Sequence, residues 1–372
     1  MADIRVDEFV ALMEKILPHT LVAPGRNIRW LMVINPKAGG FTIRSRWARH
    51  CVVLRDYAEK ARANPLRPDC GRGDGSRLGV ALTTGPGDAG RATESLIDQA
   101  ARWMDAAGPG SGKSPFCLVI TAGGDGTSLE VLSALYRAPE KVREHFAVLR
   151  LPMGTGNDGA DAPELDQALD LLIKPVSIEK ARALQLFTST TGKGPFLAFN
   201  ILSVGLDAFV THMTNKMKGK FPGDSYKLWV DIAALLYDRI YTVGPLDVRA
   251  LDEDGREVAG GKFREKVLLL AVGASGRRTY GSRKKILPDD RNVCAIRQMP
   301  LFRKLALKEL FNTGTHIDKP EAVLFNARRV EFLGLYPILA QMDGETVLLH
   351  PEDFPAAIEL TPPVIPVLKA AP

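Results

Sequence analysis

The segment Val119-Ile120-Thr121-Ala122-Gly123-Gly124-Asp125-Gly126-Thr127-Ser128 decides the fold of this chain. An apolar run ends at two glycines, one carboxylate follows, and a helix-like apolar pattern begins at Leu129. This order predicts a strand that turns directly into a helix. Backbone N–H groups at such a helix start bind phosphate oxygens, and a carboxylate beside phosphate usually indicates a metal ion between them. The segment predicts a phosphate site beside Asp125, although a glycine-rich turn of any α/β protein fits equally well.

Two further glycine-bearing turns follow apolar runs. Asn35-Pro36-Lys37-Ala38-Gly39-Gly40 comes after residues 30–34, and Pro152-Met153-Gly154-Thr155-Gly156-Asn157-Asp158 comes after residues 146–151. Ligands of open parallel sheets bind outside the carboxyl ends of the strands. The three turns therefore predict one ligand site at the edge of a parallel sheet.

Apolar periodicity divides the chain into two parts. In the first part, short apolar runs alternate with helical patterns, with strands predicted at 30–34, 78–83, 116–121 and 146–151 and helices at 43–61, 88–106 and 128–137. This alternation predicts an α/β domain with a Rossmann-like parallel sheet. Beyond about residue 176 the pattern predicts a β-sandwich, with strands at 180–188, 195–204, 242–251, 263–274, 292–298, 322–333, 338–342 and 346–349 and helices at 225–238 and 302–312.

The composition is that of a globular protein. The chain has 372 residues, of which 45% are hydrophobic and 25% charged, and this is ordinary globular usage. Its net charge of +6 favours anionic partners such as nucleotides or an acidic membrane surface, and we predict no nucleic-acid partner. No apolar run reaches the roughly 18 residues of a membrane span, and the four cysteines lack paired spacing. We therefore expect a cytoplasmic protein with free thiols.

Two other motifs are rejected. The segment that ends in Gly-Ser-Gly-Lys-Ser114 has Ala107 where a P-loop needs glycine, and it precedes a predicted strand instead of following one. Residues 154–159 have the spacing G-x-G-x-x-G, but the acid expected about 20 residues later falls, as Asp170, in a predicted helix. The histidines form no cluster with cysteine, so no zinc site is predicted.

The ordered set of motifs resembles the catalytic domain of the diacylglycerol kinase family, bacterial-type lipid kinases related to sphingosine, ceramide and NAD kinases. The matching segments occur in the family's order at 35–39, 83–89, 123–127, 152–158, 200–208, 287–290 and 343–345. The resemblance implies a kinase domain and a lipid-binding domain. We predict a helical extension over 1–28, a nucleotide-binding α/β domain over 29–165, a β-rich domain over 166–342 and a last segment, 343–372, that returns to the first domain.

The resemblance implies an ATP-dependent kinase that uses Mg²⁺ and phosphorylates a hydroxyl of diacylglycerol or a sphingoid-type lipid at the membrane surface. The residues expected to bind ATP lie in the turns described above: Asn35, Pro36, Lys37, Ala38, Gly39, Thr83, Gly123, Gly124, Asp125, Gly126, Thr127, Ser128, Thr155, Gly156 and Asn157. For Lys37, a solvated lysine in a turn fits equally well.

Two carboxylates are candidates for the base that removes the proton of the acceptor hydroxyl. Glu345 matches the general base of bacterial members, and Asp125 matches the aspartate favoured in some eukaryotic relatives. We expect Glu345 to act as the base and Asp125 to be oriented towards magnesium. Without the resemblance, Asp343-Gly344-Glu345 predicts a hairpin turn, and the tip of such a turn can present a catalytic acid.

The resemblance also implies a magnesium site formed by Asp290 and the carbonyls of Leu287 and Asn292. Here the chain departs from the family, because Arg291 replaces a glycine and would be strained at positive φ. Leu129 replaces an asparagine, and Gly159-Ala160-Asp161 replaces Phe-Ala-Arg. These departures support one alternative, a non-catalytic nucleotide- or lipid-binding regulator. A second alternative is an NAD-kinase-like enzyme acting on a soluble nucleotide, although residues 152–158 favour the lipid kinases over it.

The sequence says less about the lipid. Residues 275–285 carry five cations that could approach acidic headgroups, although a solvated basic face fits equally well. Phe221 and the predicted helix near 226–237 fit core packing better than an acyl pocket. The lipid species and the oligomeric state do not follow from the sequence, which is compatible with a homodimer.

Overall fold

The computed structural model describes residues 2–67, 78–107, 116–154, 156–217, 237–281 and 283–371. The chain forms two compact units, one of residues 1–181 with 363–372 and the other of residues 182–362. The first unit contains a Rossmann-like, mostly parallel sheet with helices, and the second a curled antiparallel sheet. The predicted fold class is confirmed.

The secondary-structure elements are numbered in chain order. The helices are α1 (Ala2–Ile16), α2 (Gly39–Thr42), α3 (Arg44–Lys60), α4 (Asp88–Ala107), α5 (Asp125–Arg137), α6 (Glu140–Arg143), α7 (Leu165–Ile173), α8 (Leu206–Met217), α9 (Tyr237–Ile240) and α10 (Leu301–Thr313). The strands are β1 (Ile28–Ile34), β2 (Leu78–Leu82), β3 (Phe116–Gly123), β4 (Phe146–Pro152), β5 (Val176–Ala181), β6 (Leu184–Phe187), β7 (Phe196–Ala198), β8 (Ile201–Gly205), β9 (Pro245–Leu251), β10 (Glu257–Gly273), β11 (Arg278–Tyr280), β12 (Lys284–Leu287), β13 (Val293–Arg297), β14 (Ala322–Phe325), β15 (Arg329–Gly334), β16 (Ile338–Met342), β17 (Glu345–Leu349), β18 (Ala356–Leu360) and β19 (Ile365–Ala370).

The sheet of the first unit has the strand order β2-β1-β3-β4-β19-β5. Neighbouring strands are parallel from β2 to β19, and β5 is antiparallel to β19. Every residue of β3 and β4 is buried, as expected for parallel strands covered on both faces. The last segment of the chain therefore completes the sheet of the first unit.

Helix α1 is an integral part of the core of the first unit. Its side chains Phe9 and Met13 are fully buried and belong to the same apolar cluster as side chains of α3, α7, β1 and β3. The ring of Phe9 meets the ring of Phe41 edge-to-face at a centroid distance of 5.4 Å. Residues that precede the first strand therefore contribute to the stability of this unit.

The sheet of the second unit curls back on itself. Its path runs β17-β16-β8-β10-β9-β15-β18-β6-β7, and the long strand β10 joins the two halves. Strand β6 contacts β8, and β7 contacts β16, although they lie far apart along this path. Apolar side chains of both halves, among them Leu186, Val248, Val272 and Ala340, form one core.

Several features of the strand prediction are wrong. The runs predicted at 195–204 and 322–333 each form two strands, and β11 and β12 were not predicted. The strand predicted at 180–188 is two strands, because Ala183 leaves the first sheet and exchanges hydrogen bonds of 2.9 Å with Thr361. Strands β18 and β19 were not predicted, because prolines at 355, 362, 363 and 366 interrupt the apolar pattern. The structure divides the units after Ala181 and Pro362, whereas the prediction placed these divisions at residues 165 and 342.

Part of the sequence prediction lies outside the described residues. This applies to Thr155, to Phe221 and to nearly all of the helix predicted at 225–238, of which only the end, in α9, is described. None of the helices in the described ranges combines the length and hydropathy that a membrane span requires.

Replacing Phe9 by alanine should lower the free energy of unfolding by about 3–5 kcal/mol, because it leaves a cavity in a fully buried position. The matched control is Ile4→Ala, since Ile4 lies on the same helix and is 70% exposed. The control should change the free energy by less than about 0.5 kcal/mol. Urea denaturation measures both, and equal stability of the two variants would show that α1 does not belong to this core.

Candidate active site

Three glycine-bearing turns meet at one edge of the first unit. Strands β1, β3 and β4 are adjacent and parallel, so their carboxyl ends share this edge. The amide of Asn35 donates to the carbonyl of Ala122 at 3.0 Å, and the amide of Gly40 donates to the carbonyl of Met153 at 2.8 Å. These bonds join the turn after β1 to the ends of both other strands.

The backbones of these turns approach too closely for side chains. A Cβ atom on Gly154 would lie 2.6 Å from Cα of Gly124, and one on Gly123 would lie 2.5 Å from Oγ1 of Thr127. A Cβ atom on Gly40 would lie 2.8 Å from the carbonyl oxygen of Met153. Glycine is therefore required for the turns to pack, and the surface they form is mostly backbone.

Helix α5 begins directly at this edge. Gly124 is its N-cap residue, and Asp125 lies in its first turn. The first N–H groups of a helix lack partners within the helix and carry a partial positive charge. The side chains of Thr127 and Ser128 are buried, and Oγ of Ser128 lies 3.2 Å from Oγ1 of Thr121. Ser128 thus fastens α5 to β3, while the helix start can bind an anion.

The Asp125 carboxylate connects α5 to the turn after β4. Its Oδ1 accepts a hydrogen bond of 3.0 Å from the amide of Gly159. Its Oδ2 faces Gly156, where a Cβ atom would lie 3.3 Å away. Asp125 therefore has a structural task, holding this turn, and also places negative charge at the edge where the three turns meet.

Asn157 shapes the same turn. It has a φ of 59°, in the left-handed region that asparagine tolerates better than most residues. Its Nδ2 donates to the carbonyl of Pro152 at 3.0 Å. These two properties bend the chain back towards the end of β4. The structure thus gives Asn157 a role in forming the turn.

A buried ion pair closes the turn after β4. Asp161 accepts hydrogen bonds from the amide of Arg150 at 2.7 Å and from its Nη2 at 2.6 Å. The side chain of Asp161 is 1% exposed and that of Arg150 is 11% exposed. Asp161 departs from the family pattern, and Arg150, on β4, compensates for its charge. The departure therefore does not disrupt the loop.

The turn after β2 reaches the same edge. The amide of Thr83 donates to the carbonyl of Ile34 at 2.8 Å. The exposed Lys37 donates through Nζ to the carbonyl of Thr84 at 3.3 Å, and its amide donates to Oδ1 of Asn35 at 3.0 Å. Pro36 is half-buried, and Ala38 and Gly39 are buried. The residues predicted after β1 and β2 therefore belong to one surface.

The role of Glu130 was missed in the sequence. Its carboxylate accepts hydrogen bonds from the amides of Gly87, Ala89 and Gly90 at 2.7, 3.0 and 3.3 Å. These amides form the start of α4, so Glu130 neutralises that helix start. Between the starts of α4 and α5, the start of α5 is therefore the better phosphate site. The only signal in the sequence was an acidic residue one turn after Asp125.

Asp88 stabilises the turn after β2 electrostatically. Its carboxylate accepts hydrogen bonds from the amide of Thr84 at 2.8 Å and the amide of Gly85 at 3.0 Å. These bonds, with further ones from the Thr84 hydroxyl and Arg91, hold the pKa of Asp88 far below its usual value. Asp88 therefore remains ionised and keeps this turn closed.

In the second unit, Glu345 follows a tightly held turn. Strands β16 and β17 form a hairpin in which Met342 pairs with Glu345. Asp343 has a φ of 46°, and its carboxylate accepts hydrogen bonds from the amides of Phe199, Asn200 and Ile201. The side chain of Glu345 is exposed. The predicted turn is present, and a buried carboxylate fixes the backbone from which Glu345 projects.

A second set of contacts holds the other side of this hairpin turn. Nδ2 of Asn215, in α8, donates to the carbonyl of Gly344 at 2.8 Å. The amide of Gly344 donates to Oε1 of the buried Gln341 at 3.1 Å, and Nε2 of Gln341 donates to Oγ of Ser203 at 2.9 Å. The backbone before Glu345 is thus held from both β8 and α8.

The residues around Asp290 do not fit a magnesium site. Arg277 donates to both carboxylate oxygens of Asp290, at 2.7 and 3.3 Å, and this pairing lowers the pKa of Asp290. The carbonyl of Asn292 already accepts the amide of Gly273 at 2.8 Å. Arg291 does not have a positive φ, so the expected strain is absent. The assignment of Leu287, Asp290 and Asn292 to magnesium stays a prediction that these contacts do not favour.

The first unit fits a magnesium ion that is held partly by phosphate. Within the described ranges, no three His, Cys, Asp or Glu side chains are grouped in a way that could hold a metal ion. Magnesium in kinases is usually bound by one or two carboxylates together with the phosphates of the substrate. Asp125, beside the start of α5, is a carboxylate of this kind.

Comparison with known proteins agrees with the geometry. Residues 29–188 match the family described as diacylglycerol kinase catalytic domain. The probable lipid kinase YegS of Salmonella arizonae is 26% identical over 258 residues, which cover 68% of this chain and 80% of that protein. The probable lipid kinase YegS-like of Cronobacter sakazakii is 26% identical over 308 residues, which cover 80% of this chain and 91% of that protein.

A solved structure shows the same fold. The crystal structure of a Bacillus anthracis protein assigned to the diacylglycerol kinases aligns with a TM-score of 0.57 over 93% of this chain and 97% of that chain, at 16% identity. At this identity the likeness shows that the two chains share a fold. Residues 29–188 are thus similar to the diacylglycerol kinase catalytic-domain family. The resemblance seen in the sequence is confirmed.

Replacing Asp161 by asparagine should lower the free energy of unfolding by about 3–5 kcal/mol, because it removes the negative charge from a buried ion pair with Arg150. Asp56→Asn is the matched control, since Asp56 pairs with Lys60 on an exposed helix surface. The control should cost at most about 1 kcal/mol. Chemical denaturation measures both variants, and similar losses would contradict the view that Arg150 and Asp161 close the loop.

Proposed function

We propose that this protein is an ATP-dependent lipid kinase that transfers the γ-phosphate to a hydroxyl of diacylglycerol or a sphingoid-type lipid. The observation that carries the proposal is the edge of the first unit, where three backbone turns, the start of α5 and Asp125 come together. A surface of backbone amides with one carboxylate suits a polyphosphate and a cation better than an apolar ligand. The enzyme would work in the cytoplasm and visit the membrane surface.

The residues of this edge would divide the work of phosphoryl transfer, which depends on positioning and charge stabilisation. Amides of Gly124, Asp125, Gly126 and Thr127 would hold phosphate oxygens at the start of α5. The turns at 35–39 and 154–157 would line the nucleotide, with Thr83 and Thr155 as further contacts. Magnesium, when bound, would offset the phosphate charge, and Asp125 would hold it.

Glu345 would accept the proton of the acceptor hydroxyl. An alcohol is a weak nucleophile at neutral pH, and a carboxylate within hydrogen-bond reach lowers the barrier to its attack. The side chain of Glu345 is exposed, and the preceding residues are held by Asp343 and Asn215. A base on a rigid turn keeps its position between turnovers, which favours this assignment.

One assay separates the proposal from its alternatives. The protein is incubated with ATP and Mg²⁺, in parallel with diacylglycerol-containing vesicles, sphingosine-containing vesicles and NAD, and the products are identified by mass spectrometry. A phosphorylated lipid supports the proposal. Formation of NADP would instead support an NAD-kinase-like enzyme, and nucleotide binding without any product would support a non-catalytic regulator.

Asp125→Asn should reduce turnover by at least about 10²-fold, because it removes the negative charge beside the phosphates. The fold should be preserved, since Oδ1 of asparagine can still accept the amide of Gly159. Asp125→Ala provides the comparison, because it loses both the charge and this hydrogen bond. Turnover and thermal midpoints measure these effects, and turnover of Asp125→Asn at the level of the unchanged protein would remove Asp125 from the mechanism.

Glu345→Gln should slow turnover while leaving ATP affinity within about twofold, because the proposed base acts on the acceptor and not on the nucleotide. Glu352→Gln is the matched control, since Glu352 is an exposed glutamate of the same unit. Single-turnover kinetics and calorimetric ATP binding separate the two effects. A variant that mainly loses ATP affinity would refute the assignment of Glu345 as the base.

A further inference from the structure

Exposed apolar side chains of the second unit are not scattered over its surface. In the part of this unit that the structure describes, the large apolar residues that are exposed are Ile240, Leu301, Phe302, Leu305, Leu333, Leu335 and Tyr336. Phe302 is 85% exposed and Leu335 63% exposed. All seven belong to α9, to the first half of α10 or to the end of β15 and the turn that follows it.

Direct contacts place these segments at one end of the unit. Nζ of the buried Lys304, in α10, lies 2.8 Å from Oδ2 of Asp238, in α9. The ring of Tyr336 packs on the backbone at Gly244, where a Cβ atom would lie 2.3 Å from the ring. Leu333 pairs with Asp247 across β15 and β9. We call this surface, around residues 237–247, the α9 end.

The solvent-facing side of α10 changes character along its length. Leu301, Phe302 and Leu305 are exposed in its first half, whereas Glu309, Asn312 and Thr313 are exposed in its second half. Lys304, Leu307 and Phe311 are buried on the opposite side of the helix. The apolar residues of the first half therefore do not serve the core. Exposed apolar groups of this kind mark interaction surfaces.

The charges around this surface favour an anionic partner. Residues 237–247, 264–266, 297–305 and 333–337 carry six arginines and lysines against three acidic residues. Three ion pairs join Asp238 to Lys304, Glu265 to Arg297 and Glu321, just outside these segments, to Arg303. These pairs leave Arg239, Arg264 and Lys266 against Asp247. A protein partner with an ordinary apolar patch would not require this surplus of positive charge. Apolar side chains among cations are typical of proteins that lie on acidic membrane surfaces.

We propose that the α9 end docks on the surface of a bilayer that contains anionic lipids. Leu301, Phe302, Leu305 and Leu335 enter the boundary between headgroups and acyl chains, while the exposed Arg239, Arg264 and Lys266 face the headgroups. The choice of a bilayer as the occupant rests on the proposed function, because a lipid kinase must reach a substrate that resides in a membrane. The surface itself is independent of the catalytic residues.

The test uses the full-length protein and sedimentation with vesicles of phosphatidylcholine, with and without 30% phosphatidylglycerol. The unchanged protein should bind the anionic vesicles, and binding should weaken as salt is raised because screening reduces the electrostatic attraction. The double variant Phe302→Ser, Leu305→Ser should bind at least tenfold more weakly. The matched control is Ile4→Ser, Val52→Ser, since these residues of the first unit are 70% and 68% exposed. It should bind within twofold of the unchanged protein.

Three other results would overturn the docking proposal. Equal vesicle binding by the double variant and the unchanged protein would overturn the proposal, as would an unchanged protein that binds no vesicles. Light scattering that shows a dimer, which Phe302→Ser, Leu305→Ser converts to a monomer, would assign this surface to a second copy and also overturn it.

The same variants distinguish this inference from the proposed function. Vesicle binding requires no ATP, so it can be measured whether or not the protein is a kinase. The double variant and the unchanged protein should phosphorylate a water-soluble short-chain diacylglycerol equally, because an enzyme does not need to dock on a membrane to reach a dissolved substrate. Suppose that the unchanged protein binds the vesicles but phosphorylates no lipid, and that the double variant no longer binds them. This result would refute the proposed function and support the docking surface.

Discussion

The candidate site depends on close packing between backbones at the carboxyl edge of the first sheet. Gly124 and Gly154 approach so closely that a Cβ atom on Gly154 would overlap Cα of Gly124, in the turn after β3. The Asp125 carboxylate then bonds the amide of Gly159, so the turn after β4 is tied to the start of α5. Without side chains between them, the turn after β4 lies directly against the start of α5, whose first N–H groups lack partners within the helix. This is the geometry that a polyphosphate needs, because its oxygens must approach several N–H groups at once.

Electrostatics then selects one position along this edge. Helices α4 and α5 both begin there, and each start would attract an anion. Glu130 already supplies a carboxylate to the start of α4, through hydrogen bonds from Gly87, Ala89 and Gly90. At the start of α5, Asp125 instead binds the neighbouring turn. The start of α4 is therefore neutralised, whereas the start of α5 keeps its partial positive charge. A phosphate would bind more favourably at the start of α5.

The sequence predicted the parts of the fold that repeat with a period. Continuous apolar runs identified β1, β3 and β4, and the glycines after them identified the edge. Periodicity could not show that β19, interrupted by proline, returns to the first sheet, or that the run at 180–188 divides between two units. The ion pair between Arg150 and Asp161 was equally hidden, because its partners are 11 residues apart and only the turn brings them together. Roles of this kind depend on tertiary contacts, which a local pattern does not encode.

The departures from the family pattern have different physical consequences. Asp161 is compensated by Arg150, on β4, so the loop after β4 keeps a closed conformation. At Asp290, Arg277 supplies positive charge from a neighbouring turn, and a cation there would have to displace its guanidinium. Arg291, the departure beside Asp290, pairs instead with Asp289. The departure at Asp161 thus preserves the surface that would hold phosphate, and the one at Arg291 does not itself occupy the Asp290 carboxylate. The contacts at Asp290 and those at Asp161 are separate, so the backbone surface of the first unit does not depend on whether Asp290 binds a cation.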